Sequence, residues 1–150
     1  MKIQAHNTQR AAERAVEAEL NRRGISTEKT DGNQPGIDLI AICPDNRLVP
    51  VEVKGGQGKP GGGNCWVKPP SPKDKDTLYV WVCVPTDKRS KPGEFQFFIL
   101  TADEVDARLG ASDKKWKSGL RWREVLPHEN QWHKFMSKNV KPNAPRPTAV

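Results

Sequence analysis

Between residues 8 and 23 (TQRAAERAVEAELNRR) the apolar side chains recur at helical spacing. Ala12, Ala15, Val16 and Leu20 make one stripe, Asn7 or Thr8 is placed to cap the start, and Gly24 to end it. After Gly24 the period shortens. Residues 25–29 form a weak extended piece, and GIDLIAIC (36–43) and RLVPVEVK (47–54), both rich in β-branched residues, flank the turn-forming PDN at 44–46 and predict a hairpin. LYVWVCV (78–84) is apolar throughout, as in a strand covered on both faces, and FQFFIL (95–100) predicts its neighbour. Thr101-Ala-Asp-Glu104 is a capping box opening a short helix that Gly110 closes. A peripheral strand near 121–124 and a short helix over 129–135 follow.

Two segments lack this periodicity. Residues 55–77, rich in Gly, Pro and Lys, read as a long loop around a short extended piece at Cys65 to Lys68, and loops of that length in a compact domain tend to carry function. The tail from Ser137, with three prolines and little to bury, is expected to be disordered. The expectation is one domain over 1–136 followed by a basic, Pro-rich tail over 137–150.

Charge adds a direction. The chain of 150 residues carries +7, and residues 111–150 hold nine Lys/Arg against three Asp/Glu. A basic surface of this kind favours polyanions such as nucleic acid through counterion release, or simply stays solvated. No apolar run reaches the roughly 20 residues of a membrane span, and MKIQAHNTQR has no apolar signal-peptide core, so a cytoplasmic protein with no membrane partner is expected. Three cysteines without a Cys-x-x-Cys favour neither disulfides nor zinc; Cys43 and Cys83, inside apolar runs, read as reduced core thiols.

The hairpin supplies the candidate chemistry. Alternation puts Val49, Val51 and Val53 on one face and Glu52 and Lys54 together on the other, with Cα atoms about 6.6 Å apart. If Cys43 faces Arg47 across the turn, facing residue numbers sum to 90 and Asp38 lies opposite Glu52. Two carboxylates that close repel each other, and a divalent cation between them removes the conflict. Mg²⁺ or Mn²⁺ takes such hard oxygen ligands, and an adjacent lysine can hold a phosphate or help activate a water. A solvated hairpin face on which Lys54 only pairs with Glu52 or Asp38 explains the same residues equally well.

Asp38, thirteen intervening residues and then Glu52-Val53-Lys54, with a helix upstream, resemble the PD-(D/E)XK nuclease superfamily, which includes restriction endonucleases, archaeal Holliday-junction resolvases and small stand-alone bacterial members. The helix AERAVEAELNRRG is similar to the resolvase-type first helix, in which a glutamate eleven residues before the glycine, here Glu13, reaches the metal site; Glu17 is the alternative. Glu13 lies about 20° around the helix from Leu20, beside the core-facing stripe. KGGQG, CWVK, LYVWVCVP, FQFFILTADEV and ENQW extend the resemblance through most of residues 9–135.

The resemblance implies an α/β fold, a restriction-endonuclease-like mixed β-sheet flanked by helices with an αβββαβ-type core. It implies a Mg²⁺- or Mn²⁺-dependent endonuclease acting on DNA, with RNA left open, and a homodimer. Asp38, Glu52 and the Val53 carbonyl would bind metal, Glu13 would hold a second metal or its water, and Lys54 would serve the attacking water. Lys59, Lys68, Lys73 and Lys75, with Trp66 as a base-stacking candidate, would contact nucleic acid. The chain departs from the family in having Pro35 three residues before Asp38 and no evident helix between Lys54 and Leu78. Two other functions stay open: a non-catalytic module of the same fold that binds nucleic acid or protein, and a nuclease subunit active only inside a restriction or defence assembly. Gly56-Gln-Gly58-Lys-Pro-Gly61 is no dinucleotide fingerprint, because Pro60 prevents the helix it must open, and the histidines of HENQWH are five apart, wrong for zinc on a helix.

Overall fold

The computed structural model describes residues 5–30, 37–57, 64–66, 75–85, 95–111 and 119–136. The tail from residue 137 and the lysines at 59, 68 and 73 lie outside the described residues, as does the side chain of Trp66. Helix α1 (Ala5–Arg22) is followed by strands β1 (Ser26–Lys29), β2 (Leu39–Ile42), β3 (Leu48–Gln57), β4 (Asn64–Trp66), β5 (Leu78–Val84) and β6 (Gln96–Thr101), then α2 (Ala102–Ala111), β7 (Gly119–Arg121), α3 (Trp122–Val125) and two 3-10 turns, Leu126–His128 and Trp132–Phe135. The five-stranded sheet has the order β1-β2-β3-β5-β6, antiparallel except where β3 and β5 run parallel. β4 and β7 pair separately. No helix among the described residues is long and apolar enough to cross a membrane.

The sheet separates two cores. On one face Val49, Val51, Val53, Val80, Val82 and Ile99 pack under Ala12, Val16 and Leu20, the α1 stripe read from the sequence. On the other, Tyr79, Trp81, Phe98 and Leu100 pack with Val105 of α2, Leu120 of β7 and Val125 of α3. β5 is therefore buried at every position, as its unbroken apolar run requires. The free thiols of Cys43 and Cys83 are buried, and burial pushes the Cys83 thiol up to about 11.

Gly24 ends α1 with φ 84°, its N–H donating to Asn21 O while Ile25 N–H donates to Leu20 O, the paired bonds that close a helix on a left-handed glycine. At the other end α1 begins at Ala5, so Asn7 and Thr8 sit inside the helix rather than capping it; Thr8 is buried and its hydroxyl accepts from Gln57 Nε2 at 2.9 Å. The PDN turn closes as expected: Cys43 N–H donates to Arg47 O, Asn46 N–H to Cys43 O, and Asn46 takes the left-handed conformation (φ 66°).

Further expectations change. In place of a helix over 129–135, Glu129 bridges Phe98 and only Trp132–Phe135 winds, as a 3-10 turn. β3 runs on through Gly55 and Gly56 to Gln57, because β5 pairs with it to the end. α2 continues past Gly110 to Ala111. The peripheral strand ends at Arg121, and Trp122–Val125 is a helical turn instead.

The C-terminal turns lie along the outer edge of β6. Phe98 bridges Glu129, Asn130 N–H donates to Phe97 O at 2.9 Å, and Lys134 Nζ donates to Ile99 O at 2.8 Å. Lys134 also pairs with Glu104 at 2.6 Å, and Glu104 closes the capping box, its Oε1 accepting from Thr101 N–H at 2.9 Å.

Candidate active site

β2 and β3 pair with the expected register, Leu39 opposite Val51 and Ile42 opposite Leu48. The pairing stops at Leu39, and there the two strands part. Asp38 N–H still donates to Val51 O at 2.9 Å, while Thr30 holds the departing chain through Ile37 O at 2.7 Å. The next inward-facing groups of β3, on Val53 and Gly55, have lost their strand partner, and buried backbone groups must be satisfied.

Side chains take over. Asp38 Oδ2 accepts from Val53 N–H at 2.7 Å, Gln9 Nε2 donates to Val53 O at 2.7 Å, and Gly55 N–H donates to Gln9 Oε1 at 3.0 Å. The Asp38 carboxylate thus meets the edge of β3 at Val53, where the end of the ladder leaves an N–H needing an acceptor.

Glu13, one helical turn after Gln9, reaches the same gap. Its carboxyl is held above the usual carboxylate range, first by burial, then by the charge of Asp38 and a hydrogen bond with it; Lys29 and a hydrogen bond from Gln9 act the other way. Two carboxyls within hydrogen-bonding distance share a proton or need a cation. Glu17, the alternative helix acid, makes no hydrogen bond or ion pair with these groups among the described residues.

α1 can come this close because residue 55 is glycine. A Cβ built there would lie 2.8 Å from the Ala12 Cβ and 3.2 Å from the Thr8 carbonyl oxygen. Helix and strand are thus in near contact where Gln9 and Glu13 point toward β3.

Glu52 and Lys54 form the second pair, with Lys54 Nζ 3.0 Å from Glu52 Oε1. Glu52 is 5% exposed although charged, and its neighbour Tyr79, facing it across β3 and β5, has its hydroxyl pushed up to about 12, by burial first and the Glu52 charge second. The chain therefore brings Glu13 to Asp38 and Glu52 to Lys54. Among the described residues no group of three or more His, Cys, Asp or Glu side chains is disposed to hold a metal ion. Lys75, the described member of the lysine set, is exposed.

Neither Gln9 nor Lys29 figures in the sequence reading. Gln9 does carry a faint signal, four residues before Glu13 and so on the same helix face. Lys29 has none, since its nearness to Glu13 comes from the β1–β2 pairing.

No family model matches the chain. No curated protein matches it either. Among solved structures, the chain resembles that of a bacterial homing endonuclease, I-Ssp6803I, with a TM-score of 0.53 and 16% identity over 87% of this chain and 90% of that one. At that identity the likeness concerns the fold alone, here an α/β arrangement of a mixed five-stranded sheet with flanking helices.

Proposed function

We propose that the chain is a divalent-metal-dependent endonuclease of the PD-(D/E)XK superfamily, hydrolysing DNA phosphodiester bonds. The observation that carries this reading is the meeting of the Glu13 and Asp38 carboxyls where β2 leaves β3, beside the Val53 carbonyl. The likeness to a homing endonuclease supports it. The donor set is all oxygen, which suits Mg²⁺ or Mn²⁺, and the carboxyl pair carries a repulsion that such an ion relieves.

Asp38, Glu13 and the Val53 carbonyl would hold the ion, with Glu52 joining them from its pair with Lys54. The ion's chemistry is to polarise the phosphoryl oxygen and lower the pKa of a bound water. Lys54, anchored at 3.0 Å by Glu52, orients the attacking water and steadies negative charge developing on the phosphate. Lys59, Lys68, Lys73 and Lys75, with Trp66, are assigned to the nucleic-acid backbone and bases, and a homodimer is the working assembly.

A second reading, a module that binds nucleic acid without cutting it, draws on the engagement of Glu52 by Lys54. One assay separates the two. Supercoiled, single-stranded and four-way-junction DNA are incubated with wild type, Glu52→Gln and Asp38→Asn in Mg²⁺, Mn²⁺ or EDTA. Nicking that needs the metal and falls at least about 100-fold in both variants is expected; equal nicking by all three proteins refutes the mechanism. DNA binding that is indifferent to EDTA and to Asp38→Asn, with no cleavage, establishes the second reading.

A further inference from the structure

We propose that Gln9 is a positioning residue of the gap between β2 and β3: its side-chain amide fixes the Val53 carbonyl and the Glu13 carboxylate in the arrangement a divalent cation requires. This role presupposes the metal-dependent reading above.

Once β2 has departed, Val53 O and Gly55 N–H form an acceptor and a donor in succession along the edge of β3, and the Gln9 amide meets both, at 2.7 and 3.0 Å. This pairing fixes the orientation of the amide, since a flipped Gln9 would set oxygen against the Val53 oxygen and NH₂ against the Gly55 N–H. The amide nitrogen has a second hydrogen, and Gln9 also hydrogen-bonds Glu13. A carbonyl oxygen has two lone pairs, so with one taken by Gln9 the Val53 oxygen keeps the other, its direction now set. One side chain thereby orients two of the proposed ligands, and removing outer partners of this kind typically weakens metal affinity about 10–100-fold.

The rival explanation is that Gln9 merely clamps α1 to β3. The molecule provides a control, because Gln57 Nε2 donates to Thr8 Oγ1 at 2.9 Å and joins the same helix to the same strand through a different pair of side chains.

The test uses the full chain without DNA. Mn²⁺ affinity is measured by titration calorimetry for wild type, Gln9→Met, Gln9→Ala and Gln57→Met, urea unfolding is measured alongside, and amide exchange is followed at Gly55. The methionine keeps side-chain volume while removing the hydrogen bonds. Expected are a Mn²⁺ affinity lower by about 10–100-fold in both Gln9 variants, a change under about twofold in Gln57→Met, and faster Gly55 exchange only in the Gln9 variants. Unchanged affinity in the Gln9 variants, or an equal loss in Gln57→Met, overturns the role of Gln9 while wild-type binding leaves the metal reading intact. Failure of wild type to bind Mn²⁺ overturns both.

Discussion

Replacing Gly55 by alanine tests how tightly α1 is seated against β3. The new methyl would sit 2.8 Å from the Ala12 Cβ, 3.2 Å from the Thr8 carbonyl oxygen and 3.4 Å from Gln9 Oε1. Carbon atoms pack best at about 3.5–4.0 Å, so the shortfall against Ala12 is about 1 Å. Neither a Cβ nor a helix carbonyl can rotate away, and Gln9 Oε1 is bonded to Gly55 itself, so the helix must shift. Overpacking of this kind costs about 1–3 kcal/mol, and each kcal/mol lowers Tm by about 2–4 °C in a chain of this size. Gly56 is the matched control, because a methyl added there would meet nothing within 4 Å and its φ is not positive. Gly56→Ala should be neutral or stabilising by about 0.4–1 kcal/mol. Urea unfolding of Gly55→Ala, Ala12→Gly, the double variant and Gly56→Ala gives the comparison. Ala12→Gly alone should cost about 1 kcal/mol from helix propensity, yet recover part of the loss when combined with Gly55→Ala. Equal effects at 55 and 56, or a double variant whose losses simply add, would refute the close contact.

Glu13→Gln should stabilise the metal-free protein at neutral pH by about 0.5–1 kcal/mol after solvent screening, while weakening Mn²⁺ binding. The sign follows from an acid held above its ordinary value of 4.5: its contribution is present in full below that value and is lost as pH rises through the folded one, so wild type should lose stability over that interval and Glu13→Gln should not. Parallel stability curves for the two proteins would contradict this. Lys134→Met should destabilise by about 2 kcal/mol in urea unfolding, below the range for a fully buried pair because Glu104 is 32% exposed. Glu104 is held low by the Lys134 hydrogen bond against the opposing effect of burial, so its contribution is present above 4.5 and lost as pH falls through the folded value; the penalty of Lys134→Met should shrink in acid. A penalty that does not change with pH would count against this pairing.

The helix stripe, the hairpin register and the all-apolar β5 were legible because each is dictated locally, by spacing, a turn or composition. The sum of 90 holds as far as Leu39 opposite Val51, and Lys54 beside Glu52 followed from alternation alone. What could not be read was the parting of the strands at Leu39, because alternation continues on paper past the point where hydrogen bonding ends. That single break turns the Asp38 side chain into the edge of β3 and gives Gln9 its partners. The continuation of β3 through Gly55 and Gly56 was equally hidden, since two glycines read as a turn until β5 supplies a neighbour and Ala12 explains the missing methyl.

The covering of β6 by residues 129–134 shields one border of the sheet from edge-to-edge strand pairing. β6 carries Phe97, Phe98, Ile99 and Leu100 in succession, a segment whose bare edge would template pairing with another chain. The Asn130 N–H, at the Glu129 bridge, and the Lys134 ammonium take its outward-facing Phe97 and Ile99 carbonyls. A chain shortened before Glu129 would lose Trp132 and Phe135 from the core beneath α1 as well as uncover an aggregation-prone border, so the segment serves packing and edge protection together.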